Sequence, residues 1–563
     1  MKKHLGWALL LAVAGCGADE CTTGEAECSA DALSLRTCVD GAWQDVGCMA
    51  DGGQLCQAGA CVDPWRYDSP TWSTCPDSTR ATTESLSAKA AYYDAITARL
   101  HIHPTLKWAM GVDLAAGASE ATATYEDVER WLSGENDGLW SALMLAAQAF
   151  RYAVTGEAAA LELVRTLVDG EVTRMEVTGV PGMFTRQFIP PGVDGITCPA
   201  DDEAYTVDEE KDDNRWVRVG SEGCAWVVDR ENMMWTKTDH CGLDAFVDWC
   251  WLDNVSKDEY SGHMFALAIV RELVDDADVQ AKVTSMLEQI GALLVANGLA
   301  VRDWDGRITE HGRFHPLAFD NFPGFNAAMS LSYLQSVLHA TNDAELRALY
   351  DRCLLMTDGP DDCFETGFIE ILPFMDYLNE PGLYIGREAC STNYNNVSMH
   401  MLSMRTLVHE AHDPELRSLY QKSLDEDVFR ATDEPRKIQV QHNAFFDFIF
   451  AAHKALGPGT DGPAYDAVED GVCMLRQFPA SKAVVAVEPD PALLAPYCKD
   501  RFDRDTGGVA KEVADRCIRN FVWWGDPYDL RECSAVDNRV EVPTDYLLAY
   551  WMGRYYGFID AEM

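Results

Sequence analysis

The stretch DGLWSALMLAAQAFRYAV-TGE-AAALELVRTLV runs from Asp137 to Val168. Its first part is apolar at almost every position. Its last part keeps apolar residues at helical spacing among charged ones, and the joint Thr155-Gly156-Glu157 carries the glycine and polar residues that stop one helix and start another. The reading is an antiparallel helical hairpin with an apolar inner and a more charged outer helix.

The layout recurs along the chain. His263 to Val274 is followed by Asp275-Asp276-Ala277-Asp278 and a helix to Leu294. Phe325 to Ala340 turns at Asn342-Asp343, Asn396 to Glu410 at His412-Asp413-Pro414, and Asn443 to Leu456 at Gly457-Pro458-Gly459. Helices at Glu84–Leu100 and Asp545–Tyr556 can close a ring, which gives about six hairpins over residues 83–563. The irregular unit length argues against an open solenoid, which keeps a nearly fixed period. This layout resembles the (α/α)6 toroid of six-hairpin glycosidases and related polysaccharide lyases. The resemblance implies an all-α body with its substrate funnel at the loops that lead into the inner helices.

Two insertions interrupt the helices. Cys198–Arg230 holds the acidic run Asp201–Asp213 and reads as a solvated loop closed by Cys198 and Cys224. Leu299–Thr309 alternates around Asp305-Gly306, a hairpin-turn signal, and predicts a β-hairpin.

At the N-terminus, Lys2 and Lys3 precede an apolar run from Leu5 to Ala14 that is too short to span a bilayer. It ends in Val13-Ala14-Gly15-Cys16, which resembles the lipobox of bacterial lipoproteins. That resemblance implies a signal peptide over residues 1–15, lipidation of Cys16 and, with Gly17 rather than Asp after it, the outer membrane of a Gram-negative bacterium. Membrane association is then expected through the lipid anchor only. Six cysteines between Cys21 and Cys61, among few large apolar residues, predict a small disulfide-stapled module over residues 16–63, with a linker over 64–82. The chain holds 19 cysteines, so setting Cys16 aside leaves 19 − 1 = 18, an even number that suits structural bridges in an oxidising compartment.

Lys plus Arg total 45 against 91 Asp plus Glu, a net charge of −46. That field repels nucleic acid, which is excluded as a partner, and disfavours strongly acidic substrates unless a local basic cluster in a cleft overrides it. No esterase elbow, phosphate-cradling glycine loop or His-Glu-x-x-His motif is present, and no cofactor or metal is expected.

The lead-ins to the inner helices are polar: Glu135-Asn136-Asp137, Lys257 to His263, Asp320-Asn321, Asn393 to Asn396, Gln441-His442-Asn443 and Thr544-Asp545. Helix capping accounts equally well for Asp137, Asn321 or Asp545 taken singly. Capping does not account for Asp258, Glu259 and His263 together, since His263 stands one turn beyond Glu259 on the same helical face. This cluster is the leading catalytic candidate, with Glu259 expected in a solvent-accessible cavity and Asp137 or Glu310 as the second carboxyl of an acid/base pair. Metal binding by Asp258, Glu259 and His263 is the lesser alternative.

His311, Arg313 and His315 beside Trp304 form a second candidate, for binding sugar hydroxyls or a carboxylate. An exposed hairpin base with Trp304 packed beneath it is the competing reading. Trp249, Trp251, Trp523 and Trp524 read as core residues, with sugar platforms as the alternative. By analogy with lyases, Tyr394, Asn395, Asn396, His400 and His442 form a third set. The expected function is a glycoside hydrolase acting on a glycan. A polysaccharide lyase and a non-catalytic glycan- or protein-binding lipoprotein are the alternatives, and the oligomeric state is left open.

Overall fold

The computed structural model describes residues 21–28, 34–47, 55–57, 59–62, 84–199, 214–229, 234–315, 323–355, 373–453, 462–488, 490–519 and 521–563. The chain divides into two compact units, Met1–Pro64 and Trp65–Met563.

In the first unit the strands Ala26–Cys28, Ser34–Val39 and Ala42–Gly47 form an antiparallel sheet, and Leu55–Gln57 pairs with Ala60–Val62. Cys21 is bonded to Cys38, whose side chain is buried although most described neighbours are exposed, so the bridge stands in for an apolar core. The signal segment, Cys16 and the expected linker lie outside the described residues.

The second unit is helical. In chain order its helices are α1 (Leu86–Ile96), α2 (Asp137–Thr155), α3 (Ala158–Glu176), α4 (Lys257–Leu273), α5 (Ala277–Ala296), α6 (Pro323–Thr341), α7 (Ala344–Cys353), a short α8 (Phe374–Leu378), α9 (Tyr394–His409), α10 (Pro414–Lys422), α11 (Ala444–His453), α12 (Gly462–Arg476) and α13 (Thr544–Tyr555). Neighbour packs on neighbour around an inner ring of α2, α4, α6, α9, α11 and α13, and α13 returns to α2. The helices α3, α5, α7, α10 and α12 back their inner partners, and α1 backs α13, completing six hairpins.

The signals read in the sequence are the ones the fold uses. Gly156 ends α2 at φ 65°, the left-handed conformation glycine adopts freely. Asp276, Asp343 and Asp413 cap α5, α7 and α10 through their side chains, with Pro414 in the first turn of α10. The inner helices bury nearly their whole circumference, as packing on both sides demands.

All six inner helices start at one end of the ring. A hydrogen bond joins the first turn of α4 to that of α2 (Leu139 N to Glu259 Oε2, 2.7 Å), and others join α4 to α6 (Lys257 Nζ to Asn326 Oδ1, 3.2 Å) and α9 (Asn395 Nδ2 to Asp258 Oδ2, 3.5 Å). Trp523 links the remaining two, accepting from Asn443 Nδ2 ahead of α11 and donating from Nε1 to Asp545 O in α13. The opposite end is closed by a buried network: Glu272 bonds His409 (2.8 Å) and Arg405 (3.1 Å), and His409, Tyr556 and His453 complete it.

The first insertion differs from expectation. Cys198 pairs with Cys250, and Cys224 with Cys241, so no Cys198–Cys224 bridge closes the loop. The cause is a five-stranded antiparallel sheet, in the order 235–241, 224–228, 216–219, 250–252, 187–189. Its register sets Cys224 directly opposite Cys241, with Cα atoms 3.9 Å apart. The acidic run Asp201–Asp213 lies outside the described residues. The second insertion folds as read, with Ala300–Arg302 antiparallel to Ile308–Arg313.

Candidate active site at the ring mouth

Where the inner helices begin, two cavities of about 530 and 670 Å³ open side by side, with Trp140 and Phe521 lining both. Trp140 projects from the first turn of α2, stacks on Phe521 (6.0 Å between ring centroids) and meets the edge of Trp524 (5.5 Å). Trp524 donates from Nε1 to Asn395 Oδ1 at 2.8 Å, and the amide of Asn395 reaches Asp258. One aromatic–amide–carboxyl chain thus runs from α2 through the loop before α13 to α9 and α4.

Asp137, the first residue of α2, lines the larger cavity with Trp131, Trp140 and Thr544. Its carboxylate accepts from Ser133 Oγ (2.7 Å) and Gly134 N (2.8 Å). Burial nevertheless outweighs these bonds and pushes its pKa up to about 7, a value suited to proton transfer near neutrality. Thr544, the first residue of α13, is buried at the same wall, and its hydroxyl has no hydrogen-bond partner among the described residues. Asp258 is half-buried and its pKa is also raised, by burial first, against the nearby Arg186, His311 and Lys257.

Glu259 is placed otherwise than expected. Its side chain is wholly buried and lines neither cavity. It accepts from the backbone of Leu139, which caps α2 from a neighbouring helix, and lies 3.5 Å from His263 Nε2. His263 in turn touches Glu171 of α3 at 2.6 Å through Nδ1 and stacks on Phe184 at 4.0 Å. Burial alone would lower the His263 pKa, but the two carboxylates overcome it and raise the value. The physical reason is the closeness of α2 and α4: a Cβ on Gly138 would overlap Glu259 and His263, and one on Gly262 would overlap Leu139. The His-Glu spacing therefore marks a buried clamp between the first two hairpins.

The hairpin candidates stay outside the described cavities. Trp304 is half-buried against Trp251, beneath Arg215, and donates to Asp253 at 3.2 Å. Glu310, His311 and Arg313 are exposed, and burial beside Phe374 lowers the pKa of His315 to about 4. Of the lyase-like set, Asn395 and Tyr394 line the smaller cavity, whereas Asn396 and His400 are buried in α9, with His400 held neutral at a pKa of about 3. His442 bonds Asp470 at 2.8 Å. Asp320 and Asn321 lie outside the described residues. Among the described residues, no three His, Cys, Asp or Glu side chains are grouped to hold a metal.

Sequence reasoning missed the wall built by residues 480–540. It holds Phe521, Trp524 and Asp526 against the mouth, pinned by the bridges Cys390–Cys498 and Cys517–Cys533. The legible signal was a long non-helical stretch carrying three cysteines and a concentration of arginine in an acidic chain.

No family model and no curated protein matches the chain. Several solved structures resemble it at low identity. Among them are an unsaturated glucuronyl hydrolase specific for heparin (8% identity, 84% of this chain and 96% of that one, TM-score 0.34), the cellulase Cel9M of C. cellulolyticum (11%, 85% and 100%, 0.37), and the endoglucanase CelQ from Clostridium thermocellum, complexed with cellotriose (12%, 84% and 70%, 0.35).

Proposed function

We propose that the protein is a surface glycoside hydrolase, anchored through Cys16, that cleaves a glycan at the ring mouth with Asp137 as general acid. The observation that carries this is a carboxyl held near a pKa of about 7 at the wall of a 670 Å³ cavity lined by Trp131, Trp140 and Phe521. An acid that retains its proton near neutral pH can protonate a leaving glycosidic oxygen, and aromatic faces suit the apolar faces of sugar rings. Asp258 lines neither cavity itself but is half-buried and tethered through Asn395 to Trp524 at the wall of the smaller one, and we assign it as the second carboxyl. A lyase mechanism draws less support, because His400 is sealed and neutral and His442 is occupied by Asp470. The test is a glycan panel followed for new reducing ends and for the absorbance of unsaturated products. Reducing ends without that absorbance support hydrolysis, unsaturated products support a lyase, and binding without either product supports a non-catalytic binder.

A further inference from the structure

The smaller cavity is lined by six Lys and Arg residues against four acids, Asp500, Asp526, Asp529 and Glu532, a local balance opposite in sign to that of the chain. The protein as a whole stands at −46, yet this wall gathers six of its 45 Lys and Arg residues. Several are committed. Arg504 pairs with Asp500 at 2.6 Å, Arg531 with Asp529 at 2.5 Å, and Arg516 donates to the backbone of Lys511 and His442.

Lys511, Arg519 and Arg501 have no carboxylate within ion-pair distance among the described residues. Lys511 is the most telling of the three. It is only 8% exposed, it lines the cavity, and its ammonium has no hydrogen bond or ion pair there. Asp529 and Asp526, which line the same cavity, and Asp515 pull on this ammonium from beyond ion-pair distance. A buried cation with only such distant counter-charges is costly, and the cavity is the space from which an anion can reach it. Burial lowers the Lys511 pKa, outweighing the opposite pull of these carboxylates. Arg519 is fixed to Ser534 O and keeps a buried Nε without a partner. Arg501 lies 4.7 Å over the ring of Phe502, an aromatic that is 61% exposed at the cavity rim. The Cys517–Cys533 bridge brackets Arg519, so the cationic wall is held in place before any ligand arrives.

We propose that this cavity is a subsite for the anionic substituent of an acidic glycan, a uronate carboxylate or a sulfate ester, with Lys511 and Arg519 as its recognition groups. This rests on the reading of the mouth as a glycan cleft and narrows it. The neutral face of the sugar meets Trp524 and Trp140, while its charge meets Lys511. The general field that disfavours acidic substrates is overridden locally, within about the 8–10 Å over which salt leaves charges visible.

The test uses the full chain in detergent with Asp137→Asn to prevent turnover. Oligosaccharides of equal length that are neutral, uronate-bearing or sulfated are titrated and followed by tryptophan fluorescence. At least one acidic oligosaccharide is expected to bind about tenfold tighter than the neutral one. Lys511→Met should erase most of that ratio, Lys511→Arg should keep it, and added salt should shrink it. Whichever acidic ligand carries the preference identifies the carboxylate or the sulfate as the source. Equal or tighter binding of the neutral ligand, or an unchanged ratio in a folded Lys511→Met protein, overturns the subsite. Acidic binding without cleavage by the parent protein upholds the subsite while removing the hydrolase reading. Cleavage of a neutral glycan with no acidic preference does the reverse.

Discussion

Asp137 and Glu259 each stand in the first turn of an inner helix, on neighbouring helices, and each is an acid at the positive end of a helix dipole. Their fates differ. Asp137 faces a cavity, and burial raises its pKa, whereas Glu259 is turned between the helices, where Oε2 accepts from Leu139 N and lies 3.5 Å from His263. The difference lies in the partner across the helix contact. Gly138 and Gly262 let α2 and α4 approach until nothing but side chains of the clamp fits between them, while Asp137 sits at the rim, beyond that contact. A charged residue in a helix lead-in is thus a candidate for chemistry only if the packing leaves its face open.

The comparison predicts a large structural penalty on the sealed side. Glu259→Ala leaves His263 with one carboxylate and removes the cap of α2, which should lower unfolding free energy by about 3–5 kcal/mol. Denaturant unfolding measures it, and a loss under about 1 kcal/mol would break the contrast. Asp137→Asn should cost little in fold stability and about 10²–10⁴-fold in rate on whichever glycan the panel identifies.

A smaller effect concerns pH. The folded pKa of Asp137 lies above its unfolded value of 3.8, so folded protein holds a proton that unfolded chain has released between about pH 4 and 7. Its contribution to stability is therefore present at low pH and is lost as pH rises through the folded value. Asp137→Asn should flatten that part of the stability curve and be the more stable protein at pH 8. Unfolding midpoints of both proteins across pH 4 to 8 isolate the difference, since Asp526 and Asp303, also raised by burial, are common to the two. Identical slopes would remove Asp137 from the account. The smallest effect belongs to Glu310→Gln, an exposed position at the hairpin base, where stability should move by less than about 0.5 kcal/mol and turnover should not change.

The ring was legible because each hairpin announces itself locally. Gly156, Asp276, Asp343 and Asp413 do at their turns what such residues do in isolation. The site was legible only in part, since its position depends on contacts between residues far apart in sequence. Asp137 was named from its lead-in, but Phe521 joins it and Trp140 at one cavity, and Lys511 joins Trp140 and Asn395 at the other, only once the wall from 480 to 540 folds back over the mouth. The Glu259–His263 spacing was read correctly as a pair on one face of α4, and the sequence could not tell that the face was closed by Glu171 and Phe184. Trp523 and Trp524, adjacent and alike in the sequence, separate in the same way. The first is buried against Asp545, and the second is part of the cavity wall.

The most direct test sets the two carboxyls against each other in a single assay: turnover of the glycan found by the panel, by folded Asp137→Asn and Glu259→Gln proteins, with melting curves recorded on the same samples. Glu259→Gln keeps the shape of the clamp, so it should melt earlier but retain turnover while folded, whereas Asp137→Asn should melt no earlier than the parent and lose product formation. Full turnover by Asp137→Asn, together with a folded but inactive Glu259→Gln, would contradict it.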